Sequence, residues 1–271
     1  MAELKQREQR RGLSDAEVAA YKTDGLVVPE RRLPPARLAQ LQGALDLVIA
    51  ANPEVRGERL IGAHVEKESD EGLKGHSAFL ELARDDLILD CVEATIGPDI
   101  ILWSTHIFCK PSGDGKEVPW HQDGHYWPIR PLATCSVWVA LDDVTLENGA
   151  MGYIPGSHRE QTLHSHHMDS GSHLALNHVL DSDQVVVSEA RYNVLEAGQF
   201  SLHDVYLIHG SSPNLSPNRR AGLVLRYMPA SSLFDRTIVR PEIVVDFSSM
   251  PIFLVRGVDR HGGNTFRVGP S

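Results

Sequence analysis

The second half of the chain carries its hydrophobic residues in short runs: "IILWSTHIFCKP", "TCSVWVALDDV", "GQFSLHDVYLIHGSS" and "AGLVLRYMP". These runs are rich in β-branched and aromatic residues and are bounded by Gly, Pro, Asn and Asp, which predicts β-strands. Before Asp99 the spacing is different. Leu38, Leu41, Leu45 and Val48 recur at helical intervals, Pro35 suits the first helical position, and Asn52-Pro53 ends the run. Ser14 and Glu17 fit a capping box for a shorter helix reaching about Thr23, with Gly25 at its C-terminal end. "GLVVP" follows as a strand. A third helical region covers Ser77 to Thr95, interrupted near Asp85-Asp86 and closed by Gly97-Pro98. The pattern predicts one domain over residues 1–271, mainly β with peripheral helices. Residues 1–12 are polar and charged and read as a flexible arm. Residues 161–183 are rich in His, Ser and Asp and read as a lid or loop.

Composition narrows the setting. The formal net charge is −10, which argues against a nucleic-acid partner. No apolar run approaches the roughly 18 residues that span a bilayer, so no membrane partner is expected. The N-terminus has no apolar core of a secretory signal. The 3 cysteines, Cys91, Cys109 and Cys135, form no C-x-x-C pair. That excludes a disulfide framework and a thiolate zinc cluster, and leaves a cytoplasmic setting as the expectation.

The chemistry concentrates in "VPWHQDGHYWPIRP". On a strand, His121 and Asp123 share a face and Gln122 takes the other. One imidazole from a second strand completes a two-His, one-carboxylate face with open positions, the arrangement of non-haem Fe(II) oxygenases. His209 in "YLIHGSS", at the end of an apolar strand, is the best third ligand. A competing His-x-Asp, His167 and Asp169, lies in a polar stretch without β-formers. Metal ligands need rigid elements, so His121 and Asp123 are favoured, and His164, His166, His167 and His173 read as a solvated loop. Arg220 follows His209 after a polar turn, and a buried guanidinium there suits a carboxylate co-substrate. Ser211 shares the strand face of His209, whereas Arg219 should point outward.

With these pieces in place the chain resembles the phytanoyl-CoA dioxygenase family of Fe(II)/2-oxoglutarate oxygenases. The resemblance rests on "WSTHIFCKP", "PWHQDGHYW", "WVALDDVTLENGAMGYIPGSH" and "LIHGSSPNLSPNRRAGLVLRY", with weaker agreement in "LSDAEVAAYKTDGLVVP". It implies a double-stranded β-helix, a cupin-like jelly-roll barrel, with iron on His121, Asp123 and His209. It implies 2-oxoglutarate and O2 as co-substrates, with Arg220 on the distal carboxylate, Ser211 assisting, and Thr105 and Trp138 lining that pocket. It also implies oxidation of a substrate C–H bond with release of succinate and CO2. Asp123 argues against the related halogenases, in which a small residue leaves a coordination position to halide. Glu147 to His158 read as scaffold around tight turns.

Substrate contacts are less legible. His125, Tyr126, Trp127 and Arg130 follow the first two ligands and are expected to form one wall. Arg226 has the strand parity of Arg220 and is expected to face the same cavity. Cations beside aromatic rings suit a small anionic or zwitterionic substrate. Hydroxylation of an unactivated C–H is the leading outcome. Desaturation, epoxidation or ring closure on a natural-product intermediate is open to the same chemistry. A cupin-like metal hydrolase could share the ligands but would not need Arg220, and a non-catalytic binding barrel would not need a complete ligand set. Oligomeric state leaves no mark in the sequence.

Overall fold

Side chains set the helix ends. The structure, a computed structural model, describes residues 12–66, 72–181, 186–238 and 247–266. The expected arm therefore lies almost wholly outside the described residues. At helix α1 (Asp15–Asp24), Ser14 Oγ accepts the Glu17 N–H at 3.3 Å and the Glu17 carboxylate accepts the Ser14 N–H at 2.7 Å. Gly25 closes it at φ 81°. Helix α2 (Pro35–Ala51) stops where Asn52 Nδ2 donates to the Val48 carbonyl. The third helical region is two helices, α3 (Ser77–Ala83) and α4 (Asp86–Ile96). Asp85 separates them by accepting the Leu87 N–H at 2.9 Å, an N-cap where the sequence predicts a break.

The strands in chain order are β1 (Leu26–Val27), β2 (Leu60–Ile61), β3 (Ile100–Lys110), β4 (Val118–His121), β5 (Ile129–Arg130), β6 (Cys135–Ala140), β7 (Met151–Tyr153) and β8 (His166–Met168). They continue as β9 (His178–Leu180), β10 (Arg191–Asn193), β11 (Phe200–Asp204), β12 (His209–Ser211), β13 (Arg220–Pro229), β14 (Leu233–Phe234) and β15 (Phe253–Arg256). Among the described residues a 7-stranded sheet runs β1-β11-β6-β13-β3-β15, with β2 also on β3. A 4-stranded sheet runs β10-β7-β12-β4. The two sheets form the double-stranded β-helix that the resemblance implies, and the helices cover the outer face of the larger one. Leu41, Leu45, Phe79 and Val92 share a core there with Ile107, Val139, Leu223 and Leu225.

Strand parity decides what faces the barrel interior. On β13, Ala221, Leu223 and Leu225 meet the helices, while Arg220, Val224 and Arg226 line interior cavities. The β13–β3 register shifts after Arg226, so that Trp103 is an extra residue between Ser104 and Leu102. Because of this bulge Trp103 and Ser104 both reach the interior, and the face of every β3 residue beyond it is exchanged. Gly222 makes room for the interior ring of Trp138. A Cβ on it would lie 1.9 Å from Trp138 Cζ2. Gly222→Ala is therefore expected to destabilise the chain by roughly 1–3 kcal/mol through overpacking. Gly43→Ala, within α2 and with nothing within 4 Å of the added Cβ, should instead stabilise by about 0.5–1 kcal/mol. Urea denaturation of both variants checks the contrast; equal midpoints would contradict it.

Candidate metal centre

The hairpin-like pairing of β4 with β12 sets His121 directly opposite His209. Their ring centroids are 4.3 Å apart. Each ring is fixed through the nitrogen that points away from the other. His121 Nδ1 donates to the Pro119 carbonyl at 2.8 Å, and His209 Nδ1 to the Leu207 carbonyl at 2.9 Å. That tautomer leaves both Nε2 lone pairs for a metal. Burial, followed by the neighbouring His121, lowers the His209 pKa to about 3, so the imidazole is neutral and a competent ligand.

Asp123 completes the set, though from a different element than strand alternation predicts. β4 ends at His121, Gln122 stays extended, and Asp123 opens a 3-10 turn, Asp123–His125. Gln122 does point the other way. Its Nε2 donates to the Thr162 and Tyr206 carbonyls, and its Oε1 accepts the His164 N–H. Ligand atoms of His121, Asp123 and His209 all lie within 4.8 Å of one another. Burial pushes the Asp123 pKa up, but His121, His203, Arg226 and His209 outweigh it and hold the carboxyl well below its usual range. Two imidazoles and one ionised carboxylate, all buried, fit Fe(II).

The rival motif does not converge. His167 pairs with Asp181 at 2.8 Å on the surface, and Asp169 accepts the Gly171 N–H. The loop reading of its neighbours needs correcting, however. Residues 166–168 and 178–180 form the β8–β9 pair, and Leu174 and Ala175 are buried. His166 is half-buried, accepts the Gln122 N–H at 3.0 Å and stacks on His125 at 4.2 Å. Residues 182 and 183 of the expected lid lie outside the described residues.

On one side of the triad the pocket runs to Arg220, Ser211 and Trp138. Arg220 is 2 % exposed, and its Nη2 donates to the Gly149 carbonyl and the Ser211 hydroxyl. Its Nε has no partner, and its guanidinium lies 5.5 Å from the Trp138 ring. Burial lowers its pKa to about 10, which leaves it charged at neutral pH. Thr105 does not belong here. It lies beyond the β3 bulge, faces the helical layer, and its hydroxyl contacts His64 Nδ1 at 2.8 Å. Arg219 faces outward as predicted, paired with Asp142 and Asp46.

On the other side opens a larger cavity of about 330 Å³, bordered by Trp103, Tyr126, Trp127, His178 and Arg226. Tyr126, Trp127 and Arg226 thus stand where the sequence predicts a substrate wall. His125 sits behind that wall against His166. Arg130 is exposed and donates to the Trp127 and Ile129 carbonyls, so it contributes none of the wall.

Two interior residues escaped the sequence reading. His203 places Nε2 3.6 Å from Asp123 Oδ2, and its buried Nδ1 has no partner. Its signal was the alternation of Ser201 and His203 with apolar Phe200 and Leu202. Lys110, opposite Arg220 in the sheet, donates to Ser211 Oγ at 2.7 Å. Burial and then the charge of Arg220 push its pKa down to about 6. His158, read as scaffold, contacts the Lys22 carbonyl behind the minor sheet.

Comparison with known proteins adds three findings. Residues 21–222 match the profile of the family described as Phytanoyl-CoA dioxygenase (PhyH). The chain is 26% identical over 227 residues to the peroxisomal phytanoyl-CoA dioxygenase of Bos taurus, covering 81% of this chain but 64% of that protein, less than two thirds of its length. It is 24% identical to an ectoine dioxygenase of Sphingopyxis alaskensis over 83% of this chain and 78% of the relative. Among solved structures, the apo form of the non-heme monooxygenase ThoJ superposes with a TM-score of 0.69 and 27% identity, covering 93% of this chain and 88% of the other.

If the buried triad is the metal centre, His209→Ala should lose tight Fe(II) retention in anaerobic equilibrium dialysis. His167→Ala should retain iron like the unmodified protein. The reverse pattern would assign the metal to the wrong His-x-Asp.

Proposed function

Since this chain belongs to the phytanoyl-CoA dioxygenase family of Fe(II)- and 2-oxoglutarate-dependent dioxygenases, we propose that it hydroxylates an unactivated C–H bond of a small molecule held beside the triad. The observation that carries this reading is the order of the interior. The anchor Arg220 lies on one side of the ligands and the cavity of about 330 Å³ on the other, with Arg226 lining both spaces. Iron with 2-oxoglutarate and dioxygen, when bound, supplies the oxidation and releases succinate and carbon dioxide.

The protein's own part is positioning and exclusion of water. The Pro119 and Leu207 carbonyls hold the two imidazoles in the metal-binding tautomer. Arg220 offers an unpartnered Nε toward a planar carboxylate, and the Ser211 hydroxyl and Lys110 Nζ lie within the same cluster. The Trp138 ring lies 5.5 Å from the Arg220 guanidinium and lowers the polarity around it, which strengthens a charge pair there. On the substrate side, Ala175, Leu176 and His178 line the cavity, and this segment is held by hydrogen bonds from Arg59 to the Leu174 and Ala175 carbonyls. Asp123 keeps the position that halide would need, which favours hydroxylation over chlorination. The three described cysteines are free and buried, which suits the reducing, cytoplasmic setting that forms part of this proposal.

Co-substrate titration tests the anchor. Arg220→Ala should leave a buried carboxylate unpaired, at a loss on the order of 2–5 kcal/mol, so 2-oxoglutarate affinity should fall roughly 30-fold or more. Arg220→Lys should recover part of it, and Arg219→Ala should match the unmodified protein. Calorimetry on iron-loaded protein reads all three. An Arg219 variant that loses binding while Arg220→Ala keeps it would reverse the assigned strand faces. For the outcome, a panel of small acids, amines and phosphonates should contain compounds that stimulate succinate release and gain one oxygen atom from labelled dioxygen. Products that lose two hydrogens without gaining oxygen would replace hydroxylation by desaturation.

A further inference from the structure

Arg226 is a buried cation that the co-substrate arrangement does not use. It is 7 % exposed, and its Nε has no hydrogen-bond partner. Its guanidinium lies 5.1 Å from the Trp127 ring and 6.0 Å from the Trp103 ring. Nη2 is 3.9 Å from Asp123 Oδ1, too long for a hydrogen bond, so Asp123 attracts it without satisfying it. An apolar, water-poor setting makes such a group expensive unless something charged completes it.

Charge matching shows what is missing. On the reading given above, the two charges of Fe(II) and the one on Arg220 are balanced by Asp123 and by the two carboxylates of 2-oxoglutarate. Lys110, pushed down to about 6 by burial and then by Arg220, lies at the far end of the co-substrate pocket beside Ser211 and does not alter the balance near Arg226. His106, on the cavity wall, is lowered to about 3 by burial and then by Arg226, and stays neutral. Among the described residues no carboxylate borders the larger cavity. Arg59 borders it too, but it is exposed, so water solvates its charge, and its Nε and Nη2 donate to the Ala175 and Leu174 carbonyls. One positive charge therefore remains, at the junction of the cavity with the metal site.

The rest of the cavity describes the uncharged part of the ligand. Trp103 and Trp127 meet edge to face at 4.5 Å, and Tyr126 stacks on His178 at 4.8 Å. Phe247, Met250 and Leu176 complete apolar walls. A volume of about 330 Å³ lies at the lower end of small-molecule sites. A group carrying several phosphates would find a single buried cation on its border.

We propose that Arg226 is the receptor for the substrate's acid group, and that the substrate is a compact monocarboxylate with an aromatic or alicyclic body. This rests on the oxygenase reading above and deepens it. An acid held by Arg226 has its first carbons next to Asp123 and hence next to the metal, while its body lies between the tryptophans and Tyr126. Arg226 thereby selects the substrate by charge and selects the carbons nearest the acid for oxidation.

The test is calorimetric, on protein loaded anaerobically with Fe(II) and 2-oxoglutarate. The probes are naphthalene-2-acetate and its neutral counterpart naphthalene-2-ethanol. Unmodified protein should bind the acid at least tenfold more tightly than the alcohol, about 1.4 kcal/mol. Arg226→Met should lose roughly 30-fold in acid affinity and leave alcohol affinity unchanged. Arg226→Lys should keep part of the preference, and Arg219→Met, whose guanidinium faces outward onto Asp142 and Asp46, all of it. Retained 2-oxoglutarate affinity in the Arg226 variants shows that they remain folded around the metal. Protein that binds 2-oxoglutarate but prefers the alcohol, binds both alike, binds neither, or keeps its acid preference in Arg226→Met overturns this inference alone. Unmodified protein that binds no 2-oxoglutarate overturns the oxygenase reading and the inference with it.

Discussion

A carboxylate removed from water has to be met by positive charge, and Asp123 places that demand at the centre of the barrel. It is 2 % exposed. His121 and His203 lie 3.6 Å from its two oxygens and Arg226 lies 3.9 Å away, none at hydrogen-bonding distance. Surroundings that attract an anion without bonding to it suit a cation in the gap. The same demand explains why so many polar groups share one interior. Each stabilises the next, and the metal is the member that binds them into one site.

The barrel answers by parity and register. One antiparallel pairing, β4 with β12, brings two imidazoles that are far apart in sequence side by side, and the carbonyl two residues before each histidine locks its ring. One strand, β13, carries both Arg220 and Arg226 on its inward face, separated by Gly222 and Val224 so that the Trp138 ring can lie between. The helices contribute no ligand. They bury the outward face of the same strands and so hold the parity on which the site depends.

Much of this was legible because it follows from local rules. Capping residues marked helix ends to within a residue or two, since Ser14, Asp85 and Gly25 satisfy backbone groups of their own helices. The triad and Arg220 were legible from the His-x-Asp spacing, from a histidine closing an apolar strand and from an arginine opening the next one, although Asp123 sits on a 3-10 turn and not on the strand. Thr105, placed in the co-substrate pocket by the resemblance alone, is turned to the helical layer by the bulge at Trp103. Arg130 is the second residue of a two-residue strand whose first residue faces in, and so it faces out. His203 was hidden because a lone histidine in an apolar strand ordinarily reads as core. The β8–β9 pair was hidden because its polar composition resembles a loop, and its order comes from distant partners such as Gln122 and Glu117.

The central claim is that His121, Asp123 and His209 hold one iron that 2-oxoglutarate then chelates. Anaerobic absorption spectroscopy tests it most directly. Adding Fe(II) and 2-oxoglutarate together to the metal-free protein should produce a weak visible metal-to-ligand charge-transfer band, which neither component produces alone. Asp123→Ala should lack it. No band in the unmodified protein, or an undiminished band in Asp123→Ala, would contradict the account.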